Sequence, residues 1–316
     1  MVKTRVFYVT DLHGSDRMFF KFINAAPVYK AQVLVVGGDI AGKTVTPIIQ
    51  TNGSYSVHTR GTDRTAATNE ELEALKRDLR AVGDYPYVTT ENEWRVITSD
   101  PAKMDKVFDS LITESIGNWS KTAEQRLKAS GVRVIVNKGN DDPPIVQELL
   151  ERSEFVEWPD EKVIEFGGHE MMSLGYSNMT PWKLPGDLPE EELEKKIENL
   201  VSQMKDVNNS IFNIHVPPYG THLDVAPKLD ENLKPVLASG GQPEMTNVGS
   251  TAVKRAIEKY QPSVGLHGHI HESRGTVKIG RTYCFNPGSE YSTGVLRGVI
   301  LDFSDKKLES HILTAG

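Results

Sequence analysis

The sequence predicts an α/β sandwich: two mixed β-sheets packed face to face, with helices flanking them. Three observations carry this. Short continuous runs of β-branched residues alternate with helical patterns over residues 6–36 and 132–151, as buried parallel strands joined through helices do. Five such runs each end in polar or metal-capable residues, which marks one rim of the sheets as the active face. The later chain changes to paired strands with tight turns, so the sheets should be mixed.

In chain order, Val6-Phe7-Tyr8-Val9 forms the first strand and runs into Thr10-Asp11-Leu12-His13-Gly14. Ser15 or Asp16 then caps a helix expected to reach about Ala25 and to stop at Pro27. Val33-Leu34-Val35-Val36 is the second strand, ended by Gly37-Gly38-Asp39. Residues 132–136 form the third, followed by Asn137-Lys138-Gly139-Asn140-Asp141-Asp142 and a helix over 143–151. Residues 211–214 run into His215, and 263–266 into His267-Gly268-His269-Ile270-His271. Strands at 163–166, 171–174, 277–285, 295–303 and 308–313 should pair as hairpins, with turns at Ile279-Gly280-Arg281 and Phe303-Ser304-Asp305. Leu193, Ile197, Leu200 and Met204 define one face of a helix over 189–204.

Residues 42–118 break this rhythm. Asn52-Gly53 tolerates positive φ and predicts a hairpin. Thr68 and Glu71 form a capping box before a helix carrying Leu72, Leu75, Leu79 and Val82, ended at Gly83. Asp100-Pro101 opens another helix with Met104, Val107, Phe108 and Leu111, expected to close at Gly117. The segment reads as an insertion within a single domain spanning 1–316, either a cap beside the active rim or an extension of the core.

Composition bounds the function. The 316 residues are 38% hydrophobic and 25% charged, enough apolar surface for a core and too much for disorder. Lys and Arg number 36 against 43 Asp and Glu, a net charge of −7 that disfavours nucleic acid and anionic lipid as partners. Cys284 is the only cysteine, so no intrachain disulfide forms; it should be a small buried side chain. With no apolar leader and no membrane-length apolar run, the expectation is a cytoplasmic protein.

The strand ends collect Asp11, His13, Asp39, Asn140, His215, His269 and His271. Two carboxylates, an amide oxygen and four imidazoles suit two borderline divalent ions such as Mn, Fe, Zn or Co. Asp11 and His13 should face one side of an extended segment by alternation, as should His269 and His271. Asp39 is the candidate to bridge two ions, since an anion between them offsets their repulsion.

The ordered set Asp11-Leu12-His13, Gly38-Asp39, Gly139-Asn140-Asp141-Asp142, His215 and Gly268-His269-Ile270-His271 resembles the calcineurin-like metallophosphoesterase superfamily. The resemblance runs from residue 6 to about 290 and skips the insertion. It implies the calcineurin-like phosphoesterase fold, a two-sheet sandwich, with one ion on Asp11, His13, Asp39 and His271 and a second on Asp39, Asn140, His215 and His269. It further implies hydrolysis of a phosphoester by a hydroxide held between the ions, on a phosphorylated small-molecule or nucleotide substrate.

The chain departs from the superfamily in two places. Many members carry a His after the Gly-Asn that protonates the leaving oxygen; here Asp141 stands there, and a carboxylate beside two cations is a poor donor. His222, in the loop Pro217-Pro218-Tyr219-Gly220-Thr221-His222, is the alternative donor, or the substrate has a good leaving group. This favours a phosphodiester somewhat over a phosphomonoester. The arginines by which protein serine/threonine phosphatases grip phosphate are missing from their places; Lys43, Arg60, Arg64 and Arg274 are the substitutes available, with surface solvation as their default. Gly37-Gly38 and Asn286-Pro287-Gly288-Ser289 are candidate loops for amide contacts to phosphate. His267 is a partner to a ligand or buried packing, Trp182 lies in a loop that could reach the site, and His58, His169 and His311 lack motif support. Two competing functions are an inactive scaffold of the same fold binding a protein partner, and a nuclease.

Overall fold

The computed structural model describes residues 4–305 and 307–316. Two six-stranded mixed sheets stand face to face. The first runs Leu308–Ala315, Arg297–Phe303, Thr4–Val9, Val33–Val36, Arg133–Val136, Val156–Glu157. Its last four strands are parallel to one another and its first two antiparallel. The second runs Gly275–Ile279, Thr282–Asn286, Val264–Leu266, Ile211–Ile214, His169–Leu174, Lys162–Phe166. Its four central strands are parallel and each edge strand antiparallel to its neighbour.

The continuous apolar runs arise because both faces of each sheet are buried. Val6, Tyr8, Val33, Val35 and Ile135 point inward and meet Met171, Ile211, Val264 and Phe285 of the second sheet. The alternate residues Phe7, Val9, Leu34, Val36 and Val134 point outward, against helices Asp16–Tyr29, Pro101–Leu127 and Pro144–Glu151. On the far side, Met172, Leu174, Phe212 and Cys284 pack under helices Glu190–Val201 and Thr251–Tyr260. Burying each large side chain contributes about 1.5–3 kcal/mol, and together they fix which face each strand turns inward.

Three helix ends differ from expectation. The helix expected to reach Met204 closes at Val201. Pro27 lies inside the last turn of the first helix, which continues to Tyr29 and ends on Lys30 in the left-handed region. Pro27 has no N–H to donate within the helix, and burial of Phe22, Ile23, Ala25 and Ala26 on the same helix offsets that cost. The helix that opens at Pro101 passes straight through Gly117 to Leu127. A mid-helix glycine costs about 1 kcal/mol, which burial of Ile112, Ile116, Trp119 and Ala123 outweighs. Trp119 stacks on Phe19 with ring centroids 4.5 Å apart and donates its Nε1 hydrogen to Asp16.

Position 118 therefore falls within a helix that also packs on the core. Before it, strands Thr62–Ala66, Ser54–Thr59, Thr44–Thr51 and Asp84–Thr89 form a four-stranded sheet. Asn52 and Gly53 take positive φ at its hairpin, as expected. Helix Asn69–Arg80, with the Thr68/Glu71 capping box, buries Leu72, Leu75 and Leu79 against Ile48 and Val57 of that sheet. Among the described residues no helix is long and apolar enough to cross a membrane.

Candidate metal centre

Strand register sets up the rim. Val9, Val36 and Val136 are neighbours at the carboxyl ends of three parallel strands, as are Leu174 and Ile214 in the second sheet. Beyond Val9 and Val36 the two chains stay zipped: Asp11 N–H donates to Gly38 O (2.9 Å), His13 N–H to Asp39 O (3.0 Å) and Gly14 N–H to Ile40 O (2.8 Å).

The expected alternation along an extended segment is not how these side chains are aimed. Asp11 (φ 55°), His13 (42°), Asp39 (50°) and His269 (65°) are all left-handed. That region is rare for residues other than glycine and costs about 1–3 kcal/mol each, sustained only where the surroundings fix it. Left-handed turns past the strand ends, rather than a pleat, direct four of the seven candidate ligands.

Those turns bring the side chains into two groups, Asp11 with His13 and His271, and Asp39 with His215 and His269, each with its ligand atoms within 4.8 Å of one another. His271 Nε2 stands 3.3 Å from Asp11 Oδ1 and 3.0 Å from His13 Nε2. Asp39 joins the groups, Oδ2 lying 3.8 Å from His13 Nε2 and Oδ1 3.5 Å from His215 Nε2. Asn140 sits beside the second group: its neighbour Asp141 donates its backbone N–H to Asp39 Oδ1. The Asn140 amide Nδ2 is held by Asp187 Oδ1 at 2.8 Å, which leaves Oδ1 as the free ligand atom.

Whether this set fits metal ions is decided by its bare atoms. Asp11 Oδ1, Asn140 Oδ1 and His215 Nε2 are buried and lack a hydrogen-bond partner among the described residues, whereas buried polar atoms are ordinarily paired. His215 Nδ1 lies 3.2 Å from Gly37 O; donation there places the Nε2 lone pair toward Asp39. Electrostatics agree. Burial would lift the Asp11 carboxyl, but His271 and then His215 outweigh it and hold it below its usual range. Burial opposes ionisation of Asp39 too, and His215 and His13 overcome it. Burial would push the His215 imidazole down, yet Asp39 and Asp11 raise it to about 9. His13 and His269, where burial wins, fall to about 3 and about 4. Buried carboxylates that draw positive charge this strongly, ringed by imidazoles of which two are held neutral, make a site suited to divalent ions.

Several further residues support the centre, of which Ser177 and Tyr291 carried no sequence signal. Asp142 accepts from the backbone N–H groups of Ile40, Ala41 and Gly139 at 2.8–3.1 Å, tying the Asp39 loop to the Asn140 loop. Burial, then Asp39, push its carboxyl up to about 7 against those three donors. Ser177 Oγ lies 3.2 Å from His269 Nε2. The Tyr291 ring covers His13 and His271 at centroid distances of 4.7 and 5.9 Å. Gly38 approaches so closely that a Cβ there would meet His215 Nδ1 at 2.4 Å, and Ser289 Oγ donates to Asp11 O. These Gly-rich loops pack the candidate ligands.

Lys43 is exposed, as expected, and forms a 2.6 Å ion pair with Asp141 at the edge of the centre. Burial opposes its charge, but Asp39 and then Asp141 raise its pKa. His222 is exposed beside Gly275 and makes no hydrogen bond or ion pair among the described residues. His267 is buried packing: Nδ1 meets Ile214 O and Val216 O at 2.8 and 3.1 Å, and burial pushes it down to about 4. Trp182 is exposed in a loop that backs Asn140 through Gly186 N–H. His169 bonds Asn209 O and Ser304 O, His58 pairs with Asp63 at the surface, and His311 packs on Tyr283 and Phe285.

No family model matches the chain. An uncharacterized protein of Methanocaldococcus jannaschii, MJ1162, is 31% identical over 151 residues, covering 46% of this chain and 62% of that protein. The match thus spans under two thirds of that relative's length. A solved crystal structure aligns over 99% of both chains with TM-score 0.55 and 18% identity, which shows a shared fold. The protein TT1561 of Thermus thermophilus aligns at TM-score 0.49 and 15% identity over 100% of this chain and 99% of that one. A dimetal phosphatase from Danio rerio aligns at 0.44 and 9% over 98% of each. The last two are more distant. In the order of its motifs the chain resembles the calcineurin-like metallophosphoesterases.

Proposed function

We propose that the chain is a metal-dependent phosphoesterase that binds two divalent ions through Asp11, His13, Asp39, Asn140, His215, His269 and His271. One observation carries this: Asp39 stands between the two groups, 3.8 Å from His13 Nε2 and 3.5 Å from His215 Nε2, where one carboxylate would be shared by two ions. When bound, the ions supply a hydroxide at neutral pH and the Lewis acidity that in-line attack at phosphorus needs.

The chain's own residues orient this chemistry. Gly37 O and Ser177 fix the His215 and His269 rings, Asp187 turns the Asn140 amide, and Asp142 locks the loops that carry Asp39 and Asn140. Tyr291 shields one side of His13 and His271 from water. The part of segment 42–118 before the helix that opens at Pro101 acts as a cap, supported by Ser15 Oγ donating to Ala81 O and by Gly83 packed on His13 O. Asp141 is ion-paired with Lys43, and His222 is the residue left to protonate a leaving group. That arrangement favours substrates needing little protonation, a phosphodiester or nucleotide over a simple monoester. Manganese is the ion of choice for assay, and the buried free Cys284 suits a reducing cytoplasm.

The test is turnover of bis-p-nitrophenyl phosphate and p-nitrophenyl phosphate by manganese-loaded protein. Metal-dependent hydrolysis, faster on the diester and abolished in Asp39→Ala, is expected. No turnover of either substrate with two ions bound would refute the proposal.

A further inference from the structure

Lys43 follows a stretch of backbone held on several sides. Asp142 accepts from Ile40 and Ala41 N–H, the Tyr85 hydroxyl accepts from Gly42 N–H at 2.9 Å, and a Cβ on Gly42 would meet Gly83 O at 2.5 Å. From that fixed base the ammonium reaches Asp141 Oδ2 at 2.6 Å, with the Lys43 side chain 43% and the Asp141 side chain 22% exposed. Asp141 in turn faces the centre: one of its carboxylate oxygens, a His13 ring nitrogen and an Asp39 oxygen all lie within 4.8 Å of one another. A lone carboxylate on this rim would repel an anionic substrate, and Lys43 neutralises it.

We propose that Lys43 is a phosphoryl-binding residue of this site and that Asp141 holds it in place until the substrate's phosphoryl group displaces the carboxylate. A lysine suits the exchange because its ammonium is a compact charge with three donors on a flexible stem. The ammonium keeps an anionic partner in both states, so substrate binding does not strand it. Lys43 and Asp141 then act in opposition: the lysine attracts the phosphoryl group, and the carboxylate competes for the same cation. This rests on the phosphoesterase function proposed above.

Opposed effects separate this role from a merely structural ion pair, whose loss would be alike from either side. The experiment is calorimetric titration of inorganic phosphate into manganese-loaded full-length protein, with metal content and the kcat and KM for bis-p-nitrophenyl phosphate measured in parallel. Lys43→Met should weaken phosphate binding by roughly 10- to 100-fold, the loss of one charged hydrogen bond, at unchanged metal content. Lys43→Arg should restore most of that affinity. Asp141→Asn should tighten phosphate by several-fold. Wild-type affinity in Lys43→Met, equal shifts of one sign in both variants, or loss of metal in Asp141→Asn would overturn the assignment while leaving wild-type turnover intact. Wild type that carries two ions yet neither binds phosphate nor turns over would refute the phosphoesterase reading itself.

Discussion

His13 and His271 are 258 residues apart in the chain, yet their Nε2 atoms stand 3.0 Å from each other, with Asp11 Oδ1 3.3 Å from the second. Two ring nitrogens and a buried carboxylate oxygen so placed would be satisfied together by one divalent ion, as the proposed two-ion site requires. His271→Ala should therefore lower bound manganese from two ions per chain toward one, with little change in melting temperature of the metal-free protein. Plasma mass spectrometry of the reconstituted variant checks this. Retention of both ions would remove His271 from the ligand set.

Asp142 bonds three buried backbone N–H groups from two loops. Replacing it with alanine leaves those donors without an acceptor, at about 1–3 kcal/mol for each that water cannot reach. Asp142→Ala should lose several kcal/mol in urea unfolding, and Asp142→Asn less, because its amide oxygen still accepts. Equal stability of both variants with wild type would show that the two loops hold without this link.

Gly83 has φ 91°, and a Cβ there would stand 2.3 Å from His13 O and 3.3 Å from the Tyr291 ring. Gly83→Ala should cost about 1–3 kcal/mol and displace His13, weakening manganese binding. Gly61 also has positive φ (72°) but open space around it. Gly61→Ala should show the backbone cost alone, with metal affinity unchanged. Equal metal affinity in the two variants would separate Gly83 from the centre.

Burial pushes the Asp160 carboxyl up to about 6, against the Lys138 ammonium 3.6 Å away and the Gly175 N–H. The folded chain thus binds this proton more tightly than the unfolded chain, whose aspartate titrates at about 3.9. The stabilisation is full below about pH 4 and is lost as pH rises through about 6, on the order of 2–3 kcal/mol in all. Asp160→Asn lacks this titration, so wild type should lose stability relative to the variant between about pH 4 and 7. A difference that does not vary with pH would contradict the assignment.

What the sequence made legible follows from how local each signal is. Val33–Val36 is readable as a strand because both its faces are buried, so every residue in it must be apolar. Thr68 and Glu71 mark a helix start because the capping box is made within four residues. Gly117 misleads as a helix stop because its local cost is overruled by Phe19 and Asp16, distant in the chain, packing on Trp119. At the site, the motif residues stand out because each follows a strand whose end lies on one rim. Their left-handed backbone is invisible in residue type, since aspartate and histidine there look like any others. Ser177, Asp187 and Tyr291 reach the centre only through the folded loops, and no spacing in the chain announces them.

The most direct test of the two-ion site is anomalous diffraction from crystals of the manganese-loaded protein. Two peaks roughly 3.5–4 Å apart are expected, one among Asp11, His13 and His271, the other among Asn140, His215 and His269, with Asp39 touching both. A single peak, or a pair that does not share Asp39, would contradict it.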